Sequence, residues 1–164
     1  MIKIKGDILK LHQSNYPNSF IVIPTNLGYT KDSKNVMGRG LALAIKNKYP
    51  NIDLWYGQKC KERHLNNDNR HICLISNLRI ILFATKPLNR DKPNLSWKQD
   101  SCLETIETSC KELKELIDTR LQPRDIYLPY VGCGNGNLDK SLVTPILEKY
   151  FSNNDKVFLV DYEQ

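Results

Sequence analysis

The sequence predicts an α/β protein of three layers, α/β/α, with a mixed central sheet between two layers of helices. Three observations carry that prediction. From Phe20 onward, short β-branched runs alternate with segments of helical periodicity, as strands joined by helices do. Two runs, Ile72-Cys-Leu-Ile-Ser76 and Arg79-Ile-Ile-Leu-Phe-Ala84, are separated by Asn77-Leu78 alone, a short connection compatible with a hairpin and hence with a mixed sheet. Three strands run directly into polar or glycine-rich segments, Pro24-Thr-Asn26, Phe83-Ala-Thr-Lys86 and Val131 to Asn137, so one cleft can gather all three at the strand ends where open α/β sheets bind ligands.

The elements follow in order. Ile2 to Ile4 alternates apolar and basic residues as an edge strand does, and Gly6-Asp7-Ile8-Leu9 interrupts and resumes it. Asp7 either satisfies a turn or accepts the exocyclic amine of a base. Phe20 to Asn26 is a buried strand closed by Pro24, with Thr25 and Asn26 at its end. Leu27 to Asn35 is an irregular polar loop. Val36-Met-Gly-Arg-Gly-Leu-Ala-Leu-Ala-Ile45 then opens a helix that stops before Pro50, with Lys46 and Lys48 in its last turn. Asn51 to Arg63, with Ile52, Trp55, Tyr56 and Cys60 at helical spacing, forms a second helix of the same layer. Leu65 to Arg70 is a polar loop before the hairpin.

Ser96-Trp-Lys-Gln99 has the form of a capping box, and Leu103, Ile106, Cys110, Leu113 and Ile117 recur at helical spacing until Pro123. Ile126 to Val131 is a buried strand that enters Gly132-Cys-Gly-Asn-Gly-Asn137, where alternate glycines let the backbone turn and bring its N–H groups against an anion. A helix starting at Asp139 or Thr144 runs to Tyr150, so strand, glycine loop and helix N-terminus arrive in the order that suits phosphate. Lys156 to Val160 is the last strand.

The 164 residues, 40% hydrophobic and 26% charged, fit one domain over residues 1 to 164, without repeats or linkers. Five cysteines in no CxxC pair, behind an N-terminus without a signal-like apolar core, point to a reducing cytosol. No apolar run approaches the roughly 18 residues of a membrane helix. His12, His64 and His71 are scattered and no metal-ligand spacing occurs, so no catalytic metal is expected. GxSxG and GxxxxGK[ST] are absent. The glycines at 38 and 40 do not directly follow a strand, which excludes a dinucleotide fingerprint. The net charge of +6 is concentrated: Lys31 to Arg63 holds eight basic against three acidic residues, and Lys86 to Lys98 four against one. On one face these segments would attract a polyanion such as single-stranded DNA; otherwise they are solvated lysines and arginines.

Five stretches in order, Gly6-Asp7-Ile8, Thr25-Asn26, Val36-Met-Gly-Arg-Gly-Leu-Ala42, Phe83-Ala-Thr-Lys86 and Pro129-Tyr-Val-Gly-Cys-Gly-Asn-Gly-Asn-Leu138, resemble the motifs of macrodomains, above all of the DarG-type DNA ADP-ribosyl glycohydrolases and the terminal ADP-ribose protein glycohydrolases. The resemblance spans nearly the whole chain and implies an ADP-ribose cleft, with no cofactor. It places Asp7 on the adenine amine with Ile8 beside it, and Met37, Gly38, Gly40 and Leu41 on the diphosphate. Asn26 contacts the distal ribose and Gly132, Cys133, Gly134, Asn135, Gly136 and Asn137 wrap the phosphate and that ribose, with Thr25 and Val131 as further ADP-ribose-binding residues. Thr85 and Lys86 close the site, with Lys86 matching the family's catalytic lysine, which attacks the anomeric carbon and is freed by water. Arg39, Arg90 and Lys92 are the cations available to favour its neutral form. Cys133, between two glycines, is expected as a small filler rather than a nucleophile.

The chain departs from the family pattern in having Ile23 where the first Asn of Asn-x-x-Asn stands, and in its longer Leu27–Asn35 loop. Gly136, as in the DarG type and where the terminal ADP-ribose protein glycohydrolase has an acidic residue, favours a DNA-type substrate. DarG-type antitoxins usually carry a further C-terminal domain, whereas this sequence ends at Gln164. The expected activity is removal of ADP-ribose from a nucleic-acid base. Release from acidic protein side chains, dephosphorylation of ADP-ribose phosphate and a non-catalytic ADP-ribose-binding module are the alternatives.

Overall fold

Unbroken apolar runs belong where both faces of a sheet are covered, and two such runs, Phe20–Ile23 and Ile80–Ala84, set the centre of this one. In the computed structural model, which describes residues 1–162, the order is β1 (Ile2–Gly6), α1 (Ile8–Ser14), β2 (Ser19–Asn26), α2 (Gly40–Lys48), α3 (Ile52–Leu65), β3 (Ile72–Ile75), β4 (Ile80–Lys86), α4 (Leu103–Leu116), β5 (Asp125–Pro129), α5 (Lys140–Phe151) and β6 (Val157–Tyr162). The six strands form one sheet in the order β1-β6-β5-β2-β4-β3. Every neighbouring pair is parallel except β3 with β4, which confirms the mixed sheet and leaves β1 on an edge.

The alternation of side chains divides the core in two. Phe20 and Val22 of β2, Ile81 and Phe83 of β4, and Ile126 and Leu128 of β5 pack with Ile106 and Leu113 of α4 and Leu147 and Phe151 of α5. Ile21, Ile23, Ile80, Leu82 and Tyr127 face the other way, onto Ile8 of α1, Ile45 of α2, and Ile52 and Tyr56 of α3. Helices therefore cover both faces, α1 to α3 on one and α4 with α5 on the other. Each large apolar side chain buried there contributes about 1.5–3 kcal/mol.

Several boundaries differ from those expected. Asp7 does not interrupt a strand; it caps α1, its Oδ1 accepting the N–H groups of Leu9 (3.0 Å) and Lys10 (3.2 Å). The first turns of α1 alternate apolar and polar residues much as a strand would, and the capping Asp is the better signal. Ser96 caps no helix: it lies in a 3₁₀ segment, Pro93–Lys98, where its Oγ accepts Asn89 N–H. α4 begins only at Leu103, without a side-chain cap, and ends in one wide π turn over Ile117–Leu121. The hairpin turns through Ser76–Leu78 and a left-handed Arg79. The helix expected from Val36 starts at Gly40, leaving residues 36–39 as irregular chain.

His12 of α1 shows how closely the small first helix is fitted. It is 6% exposed, its Nδ1 lies 2.9 Å from Ser19 Oγ, and burial, helped by the Lys48 charge, pulls its pKa from 6.5 down to about 4. Because the folded chain holds this imidazole neutral, the unfolded chain takes up the extra proton as pH falls below 6.5, so stability is complete above that value and is lost toward pH 4. Urea unfolding at about pH 7 and about pH 5 is expected to differ by on the order of 2 kcal/mol from this group. A His12→Asn chain should show a flatter dependence; equal pH slopes for both would remove His12 as the cause.

Candidate functional site

The chain passes from β2 to β3 and β4 on one side and later returns to β5 on the other, so the sheet changes direction beside β2. The carboxyl ends of β2, β4 and β5 surround that point, where a crevice is expected. A cavity of about 490 Å³ occupies it, larger than the roughly 390 Å³ hollow between the ends of α4 and α5. Thr25 and Asn26 from β2, Thr85 and Lys86 from β4, and Gly132, Gly134, Asn135 and Gly136 after β5 all line it. Gly38, Gly40 and Leu41 close the opposite wall. The three strand ends and both glycine loops thus meet in one cleft, as the sequence implied.

The two loops face one another: a Cβ on Gly40 would lie 3.2 Å from Asn135 Nδ2. Between them the cleft offers donors. α2 begins at Gly40 without a side-chain cap, so the N–H groups of its first turn, Gly40, Leu41 and Ala42, have no intrahelical acceptor and all three residues line the cleft. Gly134, Asn135 and Gly136 likewise donate to no acceptor among the described residues. Arg39 and Lys86 are the charged residues of the lining, and no carboxylate shares it. An extended, doubly charged anion fits such a wall.

Lys86 reaches the cleft from the end of β4, paired in register with Asn26. Its Nζ donates to the Trp97 carbonyl oxygen at 2.9 Å. Partial burial lowers its pKa, Asp100 opposes that and Arg39 adds to it. Of the three cations expected beside Lys86, Arg39 is the one that acts on it. Arg90 instead donates to Asn69 Oδ1 at 2.7 Å and lines a separate cavity, and Lys92 is not on the cleft wall.

Asn26 is 5% exposed and its side chain is already engaged. Its Oδ1 accepts Gly28 N–H (2.8 Å) and Asn35 Nδ2 (3.1 Å), while its Nδ2 donates to Val36 O (3.0 Å). Asn35, 2% exposed, spans the same loop by donating to Asn26 O (3.0 Å) and Gly28 O (2.8 Å). The Asn26 side chain therefore holds the chain on both sides of Leu27–Asn35, and one N–H hydrogen remains for a ligand.

Six residues expected in the site do not line the cavity. Asp7 and Ile8 stand at the carboxyl end of β1, on the same edge of the sheet but two strands away from β5. Asp7 uses Oδ1 for its cap and keeps Oδ2 without a partner among the described residues; Ile8 is core. Met37 and Val131 are buried in the two cores. Asn137 turns outward in left-handed conformation and donates to Asp100 Oδ1 at 2.8 Å. Cys133 packs against the core, and desolvation raises the pKa of its thiol, the reverse of what a nucleophile needs.

Ser101, which no sequence motif singles out, holds the site together. Its N–H donates to Gly136 O (3.0 Å) and its Oγ to Thr85 Oγ1 (3.1 Å), tying the glycine loop to the end of β4. Trp97, 38% exposed and lining the cleft, is hidden in a string that imitates a helix cap; an exposed Trp beside a catalytic candidate is the signal that could have found it. Tyr130, Pro24, Pro129, Val36 and Ala42 complete the wall. No group of three or more His, Cys, Asp or Glu gathers as metal ligands among the described residues, and no helix among them is long and apolar enough to cross a membrane.

No protein-family model and no curated protein matches the chain. Its structure is similar to the macrodomain of Mycobacterium tuberculosis DarG, with a TM-score of 0.71 and 24% identity over 99% of this chain and 97% of that one. It is similar to the macrodomain of Thermus aquaticus DarG at 0.69 and 24%, with the same coverage of each chain. It also matches Thermosipho africanus DarTG in complex with ADP-ribose at 0.65 and 22%, covering 89% of this chain and 38% of that larger one. The chain has the macrodomain fold.

Proposed function

We propose that the chain is an ADP-ribosyl glycohydrolase that binds ADP-ribose in the cleft and removes it from a modified nucleic-acid base, with Lys86 as nucleophile. The observation that carries this reading is a partly desolvated lysine whose pKa is lowered, held at the mouth of an anion-binding cleft between two glycine loops. Support for ADP-ribose comes from the unpaired N–H groups of Gly40–Ala42 and Gly134–Gly136, which suit a diphosphate, and from the ADP-ribose bound by the structurally similar Thermosipho protein. Support for a base comes from Trp97, an exposed aromatic residue of the cleft lining whose carbonyl oxygen holds Lys86 Nζ and whose ring carries Lys98 on one side, leaving the other for stacking.

In the proposed reaction, neutral Lys86 Nζ attacks the anomeric carbon of the distal ribose as the carbon–nitrogen bond to the base breaks, and the base leaves with its electron pair and takes a proton. The Lys86–ribose adduct opens to a Schiff base, which water hydrolyses to free ADP-ribose and the amine. Asn26 and Thr85 hold the strand ends between which the lysine works. Asp7 Oδ2, on the same edge of the sheet, receives the adenine amine.

ADP-ribose is expected to raise the melting temperature. Ligand at about 100 times its dissociation constant adds about 2.7 kcal/mol of stability. No shift at millimolar ADP-ribose, with a shift given by another nucleotide, would sink the reading. The Asp7 part is separable, because Ser caps a helix nearly as well as Asp and cannot present a carboxylate. Asp7→Ser should keep the melting temperature of the free protein yet weaken ADP-ribose binding by on the order of 1–3 kcal/mol, and Asp7→Ala should lose both. Unchanged affinity in Asp7→Ser would remove Asp7 from the site.

A further inference from the structure

α3 presents Ile52, Tyr56 and Cys60 to the core at helical spacing, and the next residue of that buried stripe is Arg63. Arg63 is 9% exposed, its Nε is buried without a partner, and its Nη1 reaches only Arg70 O at 3.5 Å. No carboxylate forms an ion pair with it among the described residues, although a buried guanidinium ordinarily requires one. Arg63 lines a cavity of about 190 Å³ together with His64, Arg70, His71 and Arg90. Asp68, the one acidic residue of the lining, is engaged by Nε and Nη2 of Arg70. Glu112, behind it, is taken by the backbone N–H groups of His71 and Ile72. Three guanidiniums against one lining carboxylate leave an excess of positive charge around an unpaired buried donor, which is the signature of a missing anion.

The position of the cavity says which anion. Its wall includes Leu27, directly after Asn26, and Pro87 and Leu88, directly after Lys86. Asn26 and Lys86 are register partners at the ends of β2 and β4, so the two strands line the cleft with their last residues and this cavity with the next ones. We infer that the Arg63 cavity binds a phosphodiester group of the nucleic-acid strand whose base is seated beside Lys86. The inference rests on the proposed activity and deepens it: the cleft takes the ADP-ribose and the Arg63 cavity takes the strand. Phosphate contacts of this kind fix register without reading sequence.

The test uses the whole chain, with labelled single-stranded oligothymidine followed by anisotropy, free ADP-ribose followed by calorimetry, and inorganic phosphate followed by the Arg63 Nε–H resonance. Arg90 is exposed, so Arg90→Gln is expected to fold; Arg63→Gln removes the buried group, and Lys5→Gln on the far edge strand is the control. Both arginine variants are expected to bind the oligonucleotide on the order of 10-fold more weakly, with the salt slope reduced by about 0.7 for each phosphate no longer neutralised, while ADP-ribose affinity and the Lys5 control are unchanged. Unaltered oligonucleotide affinity and slope in Arg90→Gln, with ADP-ribose still bound, overturns the inference and leaves the cleft reading standing. Failure of the native chain to bind ADP-ribose sinks the cleft reading instead. If Arg63→Gln does not fold, the native chain decides: a shift of the Arg63 resonance by oligonucleotide supports the inference, and a shift by inorganic phosphate alone overturns the strand as occupant.

Discussion

Alanine at position 86 is expected to lower turnover by on the order of 10³-fold or more, with ADP-ribose affinity changed less than about threefold. A nucleophile acts on the transition state, and in the proposed complex the glycine loops hold the ground-state ligand, so rate and affinity are expected to separate. Arg at 86 should fail as well, because it keeps the charge and cannot deprotonate to attack carbon. The pH profile adds an independent readout. Burial and Arg39 lower the Lys86 pKa while Asp100 raises it. The reacting form is the neutral amine, so kcat should rise with pH up to the depressed pKa and then level. Arg39→Gln should move that rise to higher pH, and Asp100→Asn to lower pH. Borohydride added during turnover should trap a reduced adduct on Lys86. Near-normal turnover in Lys86→Ala, with nothing trapped, would end the nucleophile assignment and leave a non-catalytic binding module or a water-based mechanism. The latter gains little from Asn26, whose Oδ1 already accepts two donors.

The second large effect is expected in the glycine loop, where neighbouring glycines serve different ends. A Cβ at position 136 would overlap Ser101 Oγ and crowd the Gly132 carbonyl oxygen at 2.5 Å, whereas a Cβ at Gly134 meets nothing. Gly136→Ala should therefore cost on the order of 2 kcal/mol of stability and disturb the loop. Gly134→Ala should leave stability within about 0.5 kcal/mol and still weaken ADP-ribose roughly 10-fold, since the added methyl stands where the proposed diphosphate approaches. Melting curves and calorimetry on the two variants distinguish a glycine kept for the fold from one kept for the ligand. Normal ADP-ribose affinity in Gly134→Ala would place the diphosphate elsewhere.

What the sequence makes legible is what repeats along it. The buried strands announce themselves through runs such as Phe20–Ile23 and Ile80–Phe83, because covering both faces demands apolar residues at every position. The convergence of Asn26, Lys86 and Gly132–Gly136 is legible because each stands where an apolar strand run gives way to polar or glycine-rich chain, although the order of the strands is not. Contacts between distant segments are invisible. Ser101 bonds to Gly136 and Thr85, and Asn35 to Asn26 and Gly28, through geometry that no local pattern encodes. Helix α1 escapes the pattern because seven residues carry too little periodicity to outvote the strand before them. Ser96 imitates a cap, but the Pro93–Lys98 turn has already used it.

The pair of amides at Asn26 and Asn35 has a further consequence for how this protein can change. They join the two feet of the Leu27–Asn35 excursion, and Gly28 against Ser96, Tyr29 on His64 and Asn35 N–H on Asp53 O fix its flanks, so only the tip is free to vary. Lys31 and Asp32, at its tip, are exposed. Lengthening the chain there adds only about 0.6 kcal/mol for each doubling of loop length, because closure entropy grows with the logarithm of length. A lineage could therefore trade one tip for another, or a designer graft a recognition segment, beside a cleft that stays where it is.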